Sequence, residues 1–225
     1  AIAVATAHEV IVTLGIVPTA PATGFGYIRA GAPFDAATAT PFMRVERFVE
    51  KPDLATAQRY LREGCYFWNA GMFIWRTSVM RRALAAYVPE LDALCDRMVA
   101  AAPGAERTVV AETYPGLKKI SVDYAVMERA DNLVVARGDF GWDDVGSWGS
   151  AGDHLPQRAD GNAVVGACHA FDAAGNVVVA AEGQTVALLG VTDLVVVQSG
   201  GVTLVCSKAR AQDVKKLLQQ VEREG

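Results

Sequence analysis

The spacing of apolar residues changes near Gly152, and this change predicts two parts with different folds. In the first part, unbroken apolar runs are typical of buried strands in a sheet that is covered on both faces. These runs occupy residues 10–17, 42–50, 66–75 and 133–136. The run at 66–75 is expected to break at Asn69-Ala70-Gly71. Because helical stripes separate the strands, residues 1–152 are predicted to form an α/β domain.

Helices are predicted where apolar side chains recur every three or four residues. Asp53 is expected to cap a helix that begins at Leu54 and ends at Gly64, since aspartate and glycine favour these two positions. Ser121 is expected to cap a short helix over residues 122–130. The other helical stripes cover residues 80–87 and 91–98, and residues 1–7 resemble the interior of a helix that has no cap.

The second part, residues 153–225, contains short β-rich runs separated by glycine, asparagine and aspartate turns. A turn about every ten residues predicts a small all-β layer or the coil of a β-solenoid. Ser207 is expected to cap a terminal helix with one apolar stripe, which would dock on the β layer or on a partner subunit. The stripe consists of Val214, Leu217, Leu218 and Val221.

Composition and charge narrow the class of protein. With 225 residues, 52% hydrophobic and 20% charged, the chain can form one large domain or two unequal ones. Its net charge of -4 argues against a nucleic-acid partner, which requires a basic surface. The apolar first residues have no cationic start and contain His8 and Glu9, so neither a signal peptide nor a membrane segment is predicted. Four cysteines without metal-like spacing are typical of reduced thiols in a cytoplasmic protein.

Polar residues at the ends of two predicted strands form the first candidate site. Pro52 favours an extended conformation at Lys51, so the side chains of Glu50 and Lys51 should leave opposite faces of the strand unless it twists at its end. A lysine at a strand end is usually solvated, and contact with a ligand is the alternative. Asn69 would be costly to bury unpaired in an apolar strand, so the backbone or ligand hydroxyls must bind it.

Three further positions each allow two interpretations. Gly26 permits either a close approach of the backbone to a ligand or a plain turn. Asp123 is a substrate-binding residue or an exposed charge at the start of a helix. The adjacent carboxylates of Asp143 and Asp144 repel each other unless a divalent cation lies nearby, and Mg²⁺ is the hard-ligand candidate. The alternative is a turn with two solvated aspartates.

Six motifs occur in the order found in a known family. They are Leu14-Gly-Ile-Val-Pro-Thr, Gly24-Phe-Gly-Tyr-Ile28, Phe48-Val-Glu-Lys-Pro52, Trp68-Asn-Ala-Gly71, Ser121-Val-Asp-Tyr-Ala-Val-Met-Glu128 and Trp142-Asp-Asp-Val-Gly-Ser-Trp148. On these motifs the chain resembles the mannose-1-phosphate guanylyltransferases (GDP-mannose pyrophosphorylases) of the sugar nucleotidyltransferase family, and the resemblance runs over essentially the whole chain. The resemblance implies a Rossmann-like nucleotidyltransferase domain followed by a small left-handed β-helical domain.

The resemblance also implies an activity and roles for individual residues. The reaction would be transfer of GMP from GTP to mannose 1-phosphate, giving GDP-mannose and pyrophosphate, with Mg²⁺ as cofactor. Lys51 would hold the sugar phosphate, while Glu50 and Asn69 would bind mannose hydroxyls. The backbone at Gly26 would approach the sugar, and Asp144 of the Trp-x-Asp-x-Gly motif would be a magnesium ligand. Lys51 and Asp144 are therefore the catalytic candidates.

Two departures from the family pattern matter. Ala22 stands where relatives commonly carry glutamate, so one contact to the sugar or its loop is expected to be replaced. The family's glycine-rich Gly-x-Gly-x-Arg-Leu-x-Pro loop, which holds the triphosphate, is absent from these residues. The chain is therefore expected to begin well inside the catalytic domain and to need an upstream part for turnover.

Several expectations about function and assembly stay open at this point. The chain could belong to a nucleotidyltransferase for another hexose 1-phosphate or another base. It could also be a truncated, non-catalytic subunit with a regulatory or assembly role. A homodimer through the β domain is a further expectation, and no membrane partner is expected.

Overall fold

The computed structural model describes the backbone of residues 1–224 and the side chains of residues 1–221, and the chain divides into two compact units. The first unit runs from Ala1 to Trp142, and the second begins at Asp143. The domain boundary expected after residue 152 lies ten residues beyond this division and stays a prediction. No helix within residues 1–224 is long and apolar enough to cross a membrane.

Five strands of the first unit close into a barrel in the order β1-β4-β2-β3-β5. They are β1 (Ile11–Ile16), β2 (Tyr27–Phe34), β3 (Phe42–Val49), β4 (Tyr66–Ile74) and β5 (Leu133–Gly138). β1 and β5 pair in parallel, whereas the other neighbouring strands are antiparallel. The four strands predicted from apolar runs are confirmed. The sequence pattern missed β2, because only its first two residues are buried.

The predicted break in β4 is a bulge, since the strand stays paired with β1 on both sides of it. Gly15 lies opposite Asn69 and Thr13 lies opposite Phe73, so β4 contains extra residues between these two pairs. Gly71 within the bulge has a φ of +69°, a left-handed conformation that glycine adopts at little energetic cost. Bulges re-aim side chains, and Asn69 lies at the edge of this one.

Five α-helices belong to the first unit, and the apolar stripes predicted most of them. They are α1 (Ile2–Ala7), α2 (Leu54–Glu63), α3 (Thr77–Tyr87), α4 (Pro89–Ala100) and α5 (Glu106–Thr113). α2 begins and ends as predicted: the Asp53 carboxylate accepts the Thr56 N–H at 2.7 Å, and Gly64 has a φ of +68°. α5 was missed because it has no buried residue and therefore no apolar stripe.

Replacing Asp53 by alanine is expected to lower the melting temperature by a few degrees, because α2 loses its N-cap. The hydrogen bond from the Thr56 N–H holds the pKa of Asp53 below its ordinary value. A lowered pKa in the folded state means that the ionised cap stabilises the protein above about pH 3.9 and loses this effect as the pH falls through the folded pKa. Thermal unfolding at neutral and acidic pH checks the prediction: the difference between the wild type and Asp53→Ala should shrink in acid. Asp53→Asn keeps an acceptor without the charge, so at neutral pH it should melt between the other two proteins.

The short helix expected after Ser121 is a π-helix, Asp123–Met127, and the prediction of its cap was wrong. The Ser121 side chain makes no capping bond; its backbone carbonyl accepts the Ala125 N–H at 2.9 Å. The Glu128 N–H bonds to the carbonyl of Asp123, five residues earlier, at 3.0 Å. This wider turn brings Asp123 and Glu128 above one another on the same side of the chain.

Successive residues of β2 belong to two apolar clusters, as the alternation of side chains along a strand requires. Ile28 is fully buried in a cluster with Phe48, Val135 and residues of α3 and the π-helix. Tyr27 is fully buried in an aromatic cluster with Tyr60, Tyr66 and Trp68. β2 is therefore packed on both of its faces, which fixes the position of its start next to Gly26.

The second unit contains the short strands that the turn spacing predicted. They are β6 (Ala163–Val165), β7 (Ala167–Phe171), β8 (Val177–Val179), β9 (Thr185–Leu189), β10 (Leu194–Ser199) and β11 (Val202–Ser207). β6, β8 and β10 stack in parallel, as do β7 and β9, while β11 pairs antiparallel with β10. Gly166, at φ +87°, turns the chain between β6 and β7, so that one predicted run became two strands. Parallel stacking of successive turns confirms the predicted solenoid coil.

Two fully buried asparagines cross-link the turns of this coil. The Asn162 side chain donates to the Ala173 carbonyl at 2.7 Å and accepts from the Asn176 side chain at 2.9 Å. Asn176 accepts the Leu194 N–H at 2.9 Å and donates to the Val191 carbonyl at 3.2 Å. Each buried amide thus replaces its lost hydration with hydrogen bonds to neighbouring turns.

Helices flank the coil, and the apolar stripe of the last one is exposed. α6 (Trp148–Asp153) precedes β6, and α7 (Val214–Glu224) follows a 3₁₀ helix, Lys208–Asp213, which has no side-chain cap from Ser207. Within α7, Leu217, Leu218 and Val221 are 49%, 56% and 58% exposed. The predicted docking of this stripe on the β layer is therefore wrong, and docking on a partner stays a prediction.

Candidate functional site

Five of the six predicted site residues lie together in the first unit, and this group is called the cradle. The cradle consists of Gly26, Glu50, Lys51, Asn69 and Asp123. They come from the residue before β2, the end of β3, the bulge of β4 and the start of the π-helix. Four elements distant in sequence thus supply one site. The sixth residue, Asp144, belongs to the second unit.

Glu50 and Lys51 form an ion pair, although an extended chain would separate their side chains. Lys51 has a φ of +49°, an unusual left-handed conformation for a residue with a side chain, and this is the twist that brings the two groups to one side. The Glu50 side chain is 9% exposed, whereas that of Lys51 is 56% exposed. The Glu50 carboxylate is therefore nearly buried, whereas the Lys51 ammonium group lies at the surface.

The charge of Lys51 is maintained by its surroundings. Its hydrogen bond to Glu50 raises the pKa of the Lys51 ammonium group above the ordinary value, against the opposing effect of partial burial. The negative charges of Glu50 and Asp123 raise the pKa further. Since the ordinary pKa of lysine is about 10.4, the side chain is a cation throughout the neutral range. An anion entering the cradle meets this charge first.

Asn69 is anchored within the cradle through both ends of its carboxamide. Its oxygen accepts the Gly71 N–H at 3.1 Å and the Thr13 hydroxyl at 3.4 Å, and its NH₂ group donates to Asp123 at 3.3 Å. Within the described residues, this NH₂ group has one protein acceptor and therefore one proton left to donate. That proton suits a hydroxyl group of a ligand. Asn69 is half-buried, and the expectation that backbone groups satisfy its amide is met in part by the Gly71 N–H.

Gly26 lies where a side chain would not fit. A Cβ atom at this position would collide with the Glu50 carboxylate and lie 3.3 Å from the Asn69 Cβ. The Gly26 carbonyl also accepts the Asn69 N–H at 2.8 Å. Its role in the structure is thus a close approach of the backbone to two site residues, and a contact with a ligand stays a prediction.

If the cradle binds the sugar 1-phosphate that the resemblance implies, replacing Gly26 by alanine is expected to weaken this binding by at least about tenfold while leaving stability little changed. The new methyl group must displace the end of the Glu50 side chain, which is flexible, and thereby disturb its pairing with Lys51. Calorimetric titration with mannose 1-phosphate measures the affinity, and urea unfolding measures the stability. Gly116→Ala is a matched control, because a Cβ atom there meets open space. Unchanged affinity in Gly26→Ala would contradict the role assigned to this close approach.

Three residues around the cradle were missed as functional candidates. Glu128 accepts the backbone N–H of Glu50 at 3.1 Å, and Thr13, fully buried, supports Asn69. Tyr124 contributes to the electrostatic environment of Lys51. Glu128 and Tyr124 lie in the quoted Ser121–Glu128 motif, but only the π-turn and the return of the chain over many residues bring them to Glu50 and Lys51. No local pattern in the sequence indicates those contacts.

The Asp143-Asp144 pair forms a turn in the second unit. Asp143 accepts the Val145 N–H at 2.9 Å, and Asp144 accepts the Gly146 N–H at 3.1 Å. Asp143 also contacts His154 at 3.1 Å, and the Val145 N–H bond together with this contact holds the pKa of Asp143 below its ordinary value. Val145 has a φ of +47°, a strained conformation for a β-branched residue.

The donor set at this turn fits a magnesium ion only as part of a larger site. Asp144 is exposed and uses one carboxylate oxygen for the turn. Among the side chains of residues 1–221, no three His, Cys, Asp or Glu form a group that could hold a metal ion. Mg²⁺ is commonly held by one or two carboxylates together with substrate phosphates and water. Asp144 can therefore supply one such ligand, and the others must come from elsewhere.

Comparison with known proteins assigns both units. The family described as nucleotidyl transferase matches residues 1–159. The chain belongs to this family. A second family, described as the MannoseP isomerase/GMP-like beta-helix domain, matches residues 170–221. The predicted class of fold, a nucleotidyltransferase domain followed by a β-helical domain and a terminal helix, is thereby confirmed.

Individual relatives of this nucleotidyl transferase chain agree with the family. Mannose-1-phosphate guanylyltransferase of Escherichia coli (strain K12) is 39% identical, and the xanthan biosynthesis protein XanB of Xanthomonas campestris pv. campestris (strain B100) is 40% identical, each over 220 residues. Each alignment covers 96% of this chain and 45% of the relative, so the chain spans about half the length of these relatives. The crystal structure of mannose-1-phosphate geranyltransferase from Thermus thermophilus is similar, with a TM-score of 0.81 and 38% identity over 97% of this chain and 63% of that one.

Proposed function

We propose that this chain is the sugar 1-phosphate-binding part of a mannose-1-phosphate guanylyltransferase. The intact protein would transfer GMP from GTP to mannose 1-phosphate, giving GDP-mannose and pyrophosphate. The observation that carries the proposal is the cradle itself, in which one cation, one inset carboxylate and one carboxamide converge. The names of the relatives supply the identity of the sugar and the base.

The chemistry of each cradle residue suits one part of mannose 1-phosphate. Lys51 carries the exposed positive charge and would bind the phosphate. The Glu50 carboxylate would accept a hydrogen bond from one sugar hydroxyl. The remaining proton of the Asn69 NH₂ group would be donated to another. Asp123 orients Asn69 through their hydrogen bond and can accept from a further hydroxyl. Gly26 leaves the space that this packing requires.

The reaction needs positioning and charge neutralisation rather than a protein nucleophile. An oxygen of the sugar phosphate would attack the α-phosphorus of GTP, and the bond to the leaving pyrophosphate would break in line with the attack. Lys51 would hold the attacking phosphate in place and offset its charge. Asp144 would be one ligand of Mg²⁺, together with groups outside this sequence. When bound, Mg²⁺ supplies the neutralisation of charge on the triphosphate.

The proposal extends to the partners and setting of the protein. GTP, mannose 1-phosphate and Mg²⁺ would bind the intact protein in the cytoplasm. The exposed apolar stripe of α7 would be covered by a second copy of the chain in a homodimer. Neither nucleic acid nor a membrane is a proposed partner.

Pyrophosphate release by the full-length protein that contains this chain tests the proposed function. Release is expected with GTP, mannose 1-phosphate and Mg²⁺, and at least about tenfold less is expected when ATP or UTP replaces GTP or when glucose 1-phosphate replaces mannose 1-phosphate. The 225-residue chain alone is expected to bind mannose 1-phosphate without turnover. Preference for another sugar or base would point to a different nucleotidyltransferase. An inactive full-length protein would favour a regulatory or assembly subunit and sink the proposal.

A further inference from the structure

A cavity lies in the first unit, next to the π-helix. It has a volume of about 650 Å³, within the range of small-molecule sites. Apolar side chains from α3, the turn into α4 and the segment after α5 make up most of its wall. They include Leu84, Val88, Leu91, Leu117 and Val122. No cradle residue lines this cavity.

The charged groups at the cavity are predominantly positive. Lys118 and Lys119 both line it and both are exposed, while Glu90 is the acidic residue among the lining side chains. Neither ammonium group has an ion-pair partner among the side chains of residues 1–221. An apolar space bordered by two unpaired cations favours a ligand with an apolar body and an anionic group.

The π-helix joins this cavity to the cradle. Val122, Ala125 and Val126 line the cavity, whereas Asp123 contacts Asn69. Glu128, at the end of the same element, accepts the Glu50 N–H. One short π-turn therefore presents one side to the cavity and carries two contacts to the cradle on the other. Isolated π-turns of this kind are frequently found at functional sites.

We propose that this cavity is an effector site for a small amphipathic anion, and that its occupancy alters sugar 1-phosphate binding through the π-helix. A ligand packed against Val122 and Val126 would brace the π-turn and so order Asp123 and Glu128. Binding that orders an element removes part of the entropic cost for a second ligand that uses the same element. The coupling rests on the proposed function of the cradle, whereas the existence of the site does not.

Two fluorescent probes of the same shape test the site itself. 1-Anilinonaphthalene-8-sulfonate carries the anionic group, and N-phenyl-1-naphthylamine has the same apolar body without it. The sulfonate is expected to bind the 225-residue chain with one dominant site and at least about tenfold more tightly than the amine. Lys118→Glu/Lys119→Glu should abolish this difference. Arg62→Glu/Arg107→Glu is the matched control, since it changes the net charge equally at exposed positions that do not line the cavity, and it should retain the difference.

Hydrogen exchange tests the connection to the cradle without requiring a sugar ligand. Saturation with the sulfonate probe is expected to slow hydrogen exchange at the backbone amides of Ala125, Glu128 and Glu50 by at least about fivefold. The Glu50 amide is included because its N–H donates to the Glu128 carboxylate. Mannose 1-phosphate affinity should then rise by at least about threefold, because the π-turn is already ordered. Equal binding of both probes, or sulfonate binding that is the same in the Lys118/Lys119 variant, would overturn the site. Unchanged exchange at these amides would overturn the coupling.

The two proposals fail in different ways. If mannose 1-phosphate does not bind at all, the proposed function of the cradle fails, while probe binding and amide exchange still decide on the cavity. If mannose 1-phosphate binds but the sulfonate probe does not distinguish Lys118/Lys119 from the control, the effector site fails and the proposed function stands.

Discussion

Replacing Lys51 by alanine is expected to weaken mannose 1-phosphate binding by at least about a hundredfold. The change removes the cation that would hold the phosphate, and it also leaves the Glu50 carboxylate, which is 9% exposed, without its ion-pair partner. An uncompensated carboxylate at the same place repels the phosphate, so two effects act in one direction. Calorimetric titration of the 225-residue chain measures the loss, and steady-state kinetics of the full-length protein measure it in turnover.

Two control variants test whether the loss of affinity comes from the charge at position 51 itself. Arg47→Ala removes an exposed cation of β3, which ends two residues before Lys51, and is expected to leave mannose 1-phosphate affinity unchanged. Lys51→Arg keeps the charge with a different geometry and should fall between the wild type and Lys51→Ala. In the full-length protein, GTP binding should change far less than mannose 1-phosphate use. Equal losses for the two substrates would show that the phosphate of the sugar is not what Lys51 binds.

Replacing Asn176 by alanine is expected to destabilise the second unit by about 3 kcal/mol. The side chain is fully buried and joins three turns of the coil through Asn162, Val191 and Leu194. Its removal leaves the Leu194 N–H and the Val191 carbonyl without this partner, and it leaves a cavity between the turns. Urea unfolding followed by circular dichroism measures the loss.

A matched control for Asn176 comes from the same unit. Gln184→Ala removes an exposed amide and is expected to change the free energy of unfolding by less than about 0.5 kcal/mol. The m-value should stay the same in both variants, so that the shift of the midpoint reports stability alone. A loss in Asn176→Ala no larger than that in Gln184→Ala would contradict the role of the buried amides as cross-links.

Much of the fold was predictable because its elements have local signals. Apolar runs identified β1, β3, β4 and β5, and the turn spacing identified the coil of the second unit. Asp53 and Gly64 marked the ends of α2 because capping is decided by a few neighbouring residues. β2 and α5 were missed for the converse reason, since most of their residues are not buried and leave no periodic pattern.

The cradle was predictable in composition but not in geometry. The residue types and the order of the motifs indicated Glu50, Lys51 and Asn69. Their arrangement depends on backbone conformations that local propensities oppose, namely the φ of +49° at Lys51 before a proline and the π-turn after Val122. The support from Glu128 depends on a tertiary contact between residues far apart in the chain. Such conformations persist only because the surrounding structure holds them.

The central claim is that this chain holds a sugar 1-phosphate through both its phosphate and its hydroxyls. Calorimetric titration of the 225-residue chain with mannose 1-phosphate, inorganic phosphate and mannose tests the claim most directly. One site is expected for mannose 1-phosphate, with an affinity at least about tenfold higher than that for either fragment. The reason is that Lys51 binds the phosphate while Glu50 and Asn69 bind the hydroxyls of the same molecule. Binding of mannose 1-phosphate no tighter than that of inorganic phosphate would contradict the claim.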